Sequence, residues 1–221
     1  MNQGKVVVFG IGKLAEYVCY ALKHDTDFQV SALCIEKEFM PDVRTRWGFH
    51  IEDFALLNER YPTDEYKLFI AVGNNDVREK IYNEAKDRGY SFISYLSSRA
   101  VTWDDLVYGD NVLVLEGSII QPFVSIGNNS FLFGPKIGHH CVIGNNTLLS
   151  ACYLGGNAKI GDNTFLGLNS TVNQNIEVGQ SNIIGVGSNV CSNTGDFEVF
   201  TNKGTVKRNL TAQVVKNKYL T

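Results

Sequence analysis

The chain has 221 residues, 44% of them hydrophobic and 19% charged, a globular composition with enough apolar material for a core. Its net charge of −3 gives no electrostatic reason to bind a polyanion, which argues against a nucleic-acid partner. The N-terminus MNQGKVVVFGIG lacks a charged region ahead of a long apolar stretch, and no run of about 18 apolar residues occurs. Neither a signal peptide nor a membrane span is expected.

The first half reads as alternating strands and helices. Residues 5–10 (KVVVFG) form a short apolar run that stops at Gly10-Ile11-Gly12. Helical spacing follows over residues 14–22, with Leu14, Val18, Ala21 and Leu22 on one face. Residues 29–35 (QVSALCI) are a second strand, ending at Glu36. Residues 51–59 read as a helix. Residues 66–72 (YKLFIAV) are a third strand, running into Gly73-Asn74-Asn75. Asp76 caps a helix over residues 77–88 that stops at Gly89, and residues 92–95 are a short fourth strand. This order predicts a small parallel sheet flanked by helices, a Rossmann-like unit over residues 1–98. The glycines of Gly10-Ile11-Gly12 open a helix after a strand, where backbone N–H groups accept phosphate. The G-x-G-x-x-G pattern is incomplete, since its third position is Ala15.

From Tyr108 the period changes to six. An aliphatic or aromatic residue recurs at Tyr108, Val114, Ile120, Ile126 and Leu132. After a five-residue step it resumes at Ile137, Ile143 and Leu149, and after another it runs from Leu154 through Ile160, Leu166, Val172, Val178 and Ile184 to Val190. Asn, Asp, Ser and Gly fill the turns, as in Ile126-Gly-Asn-Asn-Ser and Ile160-Gly-Asp-Asn-Thr, because they take turn conformations that other residues resist. A hexapeptide repeat specifies a parallel β-helix, in which three units close one triangular coil. About fifteen units give roughly five coils, above the minimum of about three needed to bury a shared core. This second domain spans residues 99–221 with its C-terminal tail. The five cysteines (Cys19, Cys34, Cys141, Cys152 and Cys191) show no C-x-x-C spacing and are odd in number. They read as reduced, mostly buried thiols of a cytoplasmic protein.

Three stretches carry a resemblance: residues 72–82 (VGNNDVREKIY), residues 137–144 (IGHHCVIG) and residues 160–172 (IGDNTFLGLNSTV). The chain resembles the hexapeptide-repeat sugar acyltransferases related to sialic-acid O-acetyltransferase, and among them the N-acetyltransferases of nucleotide-linked amino sugars. The resemblance covers nearly the whole chain. It implies a left-handed β-helix, acetyl-CoA as co-substrate, a homotrimer with the ligand between subunits, and N-acetylation of a UDP- or dTDP-linked amino sugar for surface glycan. O-acetylation of a sugar is the alternative.

Acetyl transfer from a thioester needs a neutral nucleophile, a base for its proton and donors for the oxyanion. Histidine suits the base because its unperturbed pKa lies near neutrality. The family's general base matches His139. The next position in relatives is often acidic and orients that base; here it is His140. The alternative for both is a solvated turn. The resemblance also aims the Gly167 N–H at the thioester carbonyl and runs the pantetheine arm beside Gly185 and Gly187, although plain repeat glycines fit all three. The tail departs from the family's Gly-x-Pro-Ala-Lys, offering Lys207-Arg208 to the CoA phosphates or simply to solvent. In the first half, Gly10, Gly12, Glu36 and Asn74 mark the carboxyl edge of the sheet, where ligands lie in such folds, and are the candidates for the nucleotide-linked sugar. His24 and His50 are expected at the surface. No metal is expected, because the carbonic-anhydrase-like relatives need three histidines and only His139 and His140 lie in the repeat.

Overall fold

A computed structural model describes residues 4–205, 207 and 209. In the first half, β1 (Lys5–Phe9), β2 (Gln29–Ile35), β4 (Phe49–Asp53) and β5 (Tyr66–Ile70) form a parallel sheet, with the two-residue β3 (Thr45–Arg46) antiparallel on its edge; the order is β3-β4-β2-β1-β5. Helix α1 (Lys13–Asp25) follows β1, the single-turn α2 (Leu57–Arg60) follows β4, and α3 (Asn75–Asp87) follows β5. The apolar runs lie where the sequence put them: Val6, Val7 and Val8 are wholly buried, as are Leu68, Phe69 and Ile70.

The segment expected to be helical over residues 51–59 begins as a strand and becomes helical only after it, as a 3-10 turn over Phe54–Leu56 and then α2. Ile51, Glu52 and Asp53 pair in parallel with Leu33, Cys34 and Ile35. Two carboxylates hide this strand from a hydrophobicity reading. The structure buries both by giving them partners: Arg60 Nη1 lies 3.0 Å from Glu52, and Asp53 accepts a hydrogen bond from the Ala55 N–H at 3.0 Å. The expected fourth strand also divides. Phe92 makes a single bridge to Leu68, whereas β6 (Tyr95–Leu96) pairs with Leu113–Val114 and belongs to the β-helix. The β-helix sheet therefore begins before the boundary expected after residue 98.

From β6 onward the chain winds as a left-handed parallel β-helix with three faces. The first contains Leu113–Val114, Phe131–Phe133, Leu148–Ser150, Phe165–Leu166 and Ile183–Ile184; the second Ile119–Ile120, Lys136–Ile137, Tyr153–Leu154, Thr171–Val172 and Asn189–Val190; the third Val107–Tyr108, Ser125–Ile126, Val142–Ile143, Lys159–Ile160 and Glu177–Val178. From Val114 onward the second residue of each strand points inward, so Ile120, Ile137, Leu154 and Val172 stack through successive coils, whereas Tyr108 at the start of the third face is exposed. At the corner leading into the first face, Asn111, Asn129, Asn146 and Asn163 all hold φ between 53° and 60°, the left-handed region that asparagine tolerates. Their side-chain amides bond one to the next up the corner, as Asn111 Nδ2 to Asn129 Oδ1 at 2.6 Å and Asn129 Nδ2 to Asn146 Oδ1 at 2.8 Å.

The N-terminal sheet docks on the first face. Val6, Val8 and Phe69 share one core with Leu113, Phe131 and Leu148, and the Phe69 and Phe131 rings stack at 6.0 Å. Asn111 closes the joint by accepting the Ile70 N–H at 2.8 Å. Arg78 of α3 clamps it. This side chain is wholly buried, lies 4.3 Å over the Phe131 ring, and has no carboxylate among its partners. Its Nε donates to Asn129 O at 3.0 Å, Nη1 to Val72 O and Gly73 O at 3.1 and 3.2 Å, and Nη2 to Asn75 Oδ1, Asn146 O and Thr147 O at 3.0, 3.3 and 3.1 Å. Burial pushes its pKa down to about 9, so it remains a cation at neutral pH.

Candidate active site

The strand Lys136–Ile137 runs into a corner formed by Gly138, His139 and His140. His140 takes the left-handed turn at φ 59°, the place that Asn157 and Asn175 fill in the next two coils at 60° and 61°. The corner is tied from both sides. The His140 N–H donates to Pro122 O at 3.1 Å and the His139 carbonyl accepts the Asn157 N–H at 2.9 Å. The His139 N–H donates to Gln121 Oε1 at 2.9 Å. Both imidazoles are exposed, and the His140 ring rests against Phe123, centroids 4.5 Å apart.

The two rings are joined. His139 Nδ1 lies 3.0 Å from His140 Nδ1, so one nitrogen carries the hydrogen and the other accepts it. With His139 as donor, its Nε2 keeps a lone pair and is the atom able to take a proton. In that tautomer His140 Nδ1 accepts from His139, the task a carboxylate performs elsewhere. Cys141, next in the chain, is no rival nucleophile: it is buried, burial raises its pKa, and its thiol donates to Gly155 O at 3.2 Å.

A cleft of about 450 Å³ opens beside His139, lined among others by Gln121, Lys136, Tyr153, Gly156 and Thr171. Gly156 stands one coil above the base. A Cβ placed there would lie 2.7 Å from His139 Nε2 and Cε1, so the imidazole keeps this position only over a glycine. Its neighbours spend their N–H groups on the coil, Gly155 on Val172 O and Asn157 on His139 O, both at 2.9 Å. The Gly156 N–H has no acceptor among the described residues. A free backbone donor beside a base is what a developing oxyanion requires. Gly156→Ala should therefore displace the imidazole and lower kcat by about tenfold to a thousandfold without changing the coil count. Steady-state kinetics beside circular dichroism would check this, and wild-type kcat would remove Gly156 from the site.

The other expected residues divide into groups. Gly167, Gly185 and Gly187 lie together at the corner between the first and second faces: the Gly167 N–H donates to Ile184 O at 2.8 Å, and Gly187 turns at φ 67°. They do not line the His139 cleft of their own chain, and the Gly167 N–H is already used. Lys207 is exposed; Arg208 lies outside the described residues. At the carboxyl edge of the N-terminal sheet, Gly10 turns at φ 120° with its N–H on Cys34 O, and Gly12 caps α1 with open space before it. Glu36 follows β2 and pairs with Lys80 at 2.7 Å. Asn74, rather than Asp76, caps α3 by accepting the Val77 N–H at 3.0 Å. Asn74 also borders a cleft of about 530 Å³ between the start of α3 and the first face, with Asn163, Phe165 and Phe197 opposite. Among the described residues no three His, Cys, Asp or Glu side chains are grouped to hold a metal, and no helix is long and apolar enough to cross a membrane.

Residues 5–85 match the model of the PglD N-terminal domain. The whole architecture recurs in solved structures. The acetyltransferase domain of PglB from Neisseria gonorrhoeae FA1090, in complex with acetyl coenzyme A, aligns with a TM-score of 0.78 at 19% identity, covering 90% of this chain and 96% of that one. WeeI from Acinetobacter baumannii AYE aligns at 0.78 and 19%, covering 88% and 94%. At that identity these two show the fold. A histidine-to-asparagine variant of perosamine N-acetyltransferase from Caulobacter crescentus, in complex with CoA and GDP-perosamine, aligns at 0.71 and 26%, covering 89% and 92%. The chain is thus similar to the PglD N-terminal domain over residues 5–85 and shares its whole fold with these acetyltransferase structures.

Proposed function

We propose that this chain transfers the acetyl group of acetyl-CoA to the amine of a nucleotide-linked amino sugar, in the cytoplasmic stage of surface-glycan synthesis. The observation that carries the reading is His139, its Nδ1 within hydrogen-bond distance of His140 Nδ1 and its ring packed against the side-chain-free Gly156, whose N–H has no acceptor among the described residues. Acetyl-CoA, when bound, supplies a thioester whose carbonyl carbon accepts the amine. As the new C–N bond forms, His139 Nε2 takes the proton that the nitrogen sheds, and the Gly156 N–H receives the charge that grows on the carbonyl oxygen. The C–S bond then breaks, and His139 returns its proton to the departing thiolate. The His139 cleft suits this chemistry: two adjacent glycines, Gly155 and Gly156, leave a side-chain-free wall for close approach.

The nucleotide would dock at the sheet edge marked by Gly10, Gly12, Glu36 and Asn74. That edge lies over the first face, whereas His139 occupies the corner between the second and third, on the far side of the triangular coil. One chain cannot bring its own acceptor to its own base. A closed threefold ring solves this by presenting the N-terminal domain of one subunit to the histidine corner of the next, with heterologous contacts that leave no open filament. In the same ring the Gly167, Gly185 and Gly187 edge of a neighbour would border the coenzyme arm.

The test is an acceptor panel. UDP-, dTDP- and GDP-linked amino sugars are offered with acetyl-CoA, the GDP compounds because the perosamine relative holds one. CoA release should follow with an amine acceptor, and light scattering of the same preparation should return three chains per particle. Release only with hydroxyl acceptors would make the enzyme an O-acetyltransferase, and a monomeric particle at micromolar concentration would overturn the shared site.

A further inference from the structure

The His139 cleft contains a charge that acetyl transfer itself does not use. Lys136 stands on the strand that leads into the histidine turn, facing outward while Ile137 faces the core. Its Nζ lies 5.2 Å from the ring centroid of Tyr153, its register partner one coil above. That cation–π contact sets the ammonium, still exposed to solvent, along the cleft wall. Elsewhere Lys159 on the third face pairs with Glu177, and Lys80 of α3 pairs with Glu36. Among the described residues Lys136 has no carboxylate within ion-pair distance. No acidic residue lines the cleft at all. A cleft with a cation, no anion and a base at one end is built for a ligand that is anionic overall and carries its nucleophile at the other end.

We propose that Lys136 is a specificity-determining residue that binds the sugar-linked phosphate of the acceptor. The inference rests on the acetyl-transfer reading of His139. Lys136 precedes His139 by three positions, so their Cα atoms are at most about 11 Å apart. A pyranose held with its amine at His139 Nε2 carries its anomeric phosphate one ring-width away, within reach of a four-carbon ammonium stem. A compact, rotatable point charge suits a phosphate whose orientation is set elsewhere. The coenzyme's own phosphates lie at the far end of the pantetheine arm from the thioester. At the level of His139 the phosphate that meets Lys136 is therefore the acceptor's.

The experiment compares wild-type protein with Lys136→Met and Lys136→Arg, using a UDP-linked 4-amino sugar, or the best acceptor of the panel, and the same amino sugar without its nucleotide. Lys136→Met should raise KM for the nucleotide-linked acceptor by about tenfold to a hundredfold, with kcat and the acetyl-CoA KM little changed. Its kcat/KM for the bare sugar should equal wild type, and Lys136→Arg should restore most of the loss. A rise in the acetyl-CoA KM alone would overturn the proposal by assigning the lysine to the coenzyme. Equal losses with and without the nucleotide would overturn it by making the lysine a shaper of the cleft, and an unchanged KM would overturn it outright. Should Lys136→Met fail to fold, Lys136→Gln carries the same comparison. If wild-type protein acetylates no amine, the parent reading has failed; if it does and the KM pattern is absent, only the Lys136 assignment has.

Discussion

Replacing His139 with alanine should lower kcat by about a hundredfold to ten-thousandfold, the usual contribution of a positioned general base. CoA binding, read by calorimetry, should be nearly unchanged, because the base acts only as the proton leaves the amine. The companion residue gives the sharper comparison. His140 accepts or donates a hydrogen at His139 Nδ1 across 3.0 Å and turns the chain at φ 59°. His140→Ala removes the partner and strains the turn, so kcat should fall, though by less than for His139→Ala. His140→Asn suits the turn and offers an amide oxygen to the same Nδ1–H, so it should retain more activity than alanine. A large loss at His140 with little at His139 would move the base by one residue. Small losses at both would mean that the amine gives its proton to water and that positioning supplies the rate.

Arg78→Met should destabilise the fold by at least about 3 kcal/mol, since each buried acceptor left without a donor costs about 1–3 kcal/mol. The guanidinium satisfies six acceptors, three of them β-helix carbonyls, namely Asn129 O, Asn146 O and Thr147 O. At about 2–4 °C per kcal/mol for a chain of this size, the melting temperature should drop by about 6–12 °C. Arg78→Lys should fall between the two, since an ammonium has three donors where the guanidinium has five. A thermal melt showing less than about 1 kcal/mol of loss would mean that water replaces the guanidinium and that the domain joint does not depend on it.

The repeat was legible because each inward residue serves the same core and each corner needs the same backbone, so both leave a period in the sequence. β1, β2 and β5 were legible as short, mainly apolar runs. β4 was not, because Glu52 and Asp53 are buried by partners that lie elsewhere in the chain. β6 was missed because Tyr95–Leu96 starts the first coil without the Gly that punctuates later ones. His139 and His140 stood out as adjacent titratable groups at a turn. Gly156 did not, because nothing local distinguishes it from other repeat glycines; counting one coil, 17 residues, from His139 would have found it. Arg78 was not singled out, since three of the carbonyls that claim it, those of Asn129, Asn146 and Thr147, lie more than fifty residues away.

His139 and Gly156 are neighbours only because the chain completes one circuit between them. An extra residue bulging from a corner leaves that alignment intact. One inserted within a strand slides every later coil by a step, exchanges inward for outward side chains, and moves Gly156 away from His139. Between these two residues, length can change freely only by loops at the corners or by whole circuits added beyond them. Descendants of such a chain are free to grow at the ends of the prism and at its edges, while the strands between His139 and Gly156 keep their length.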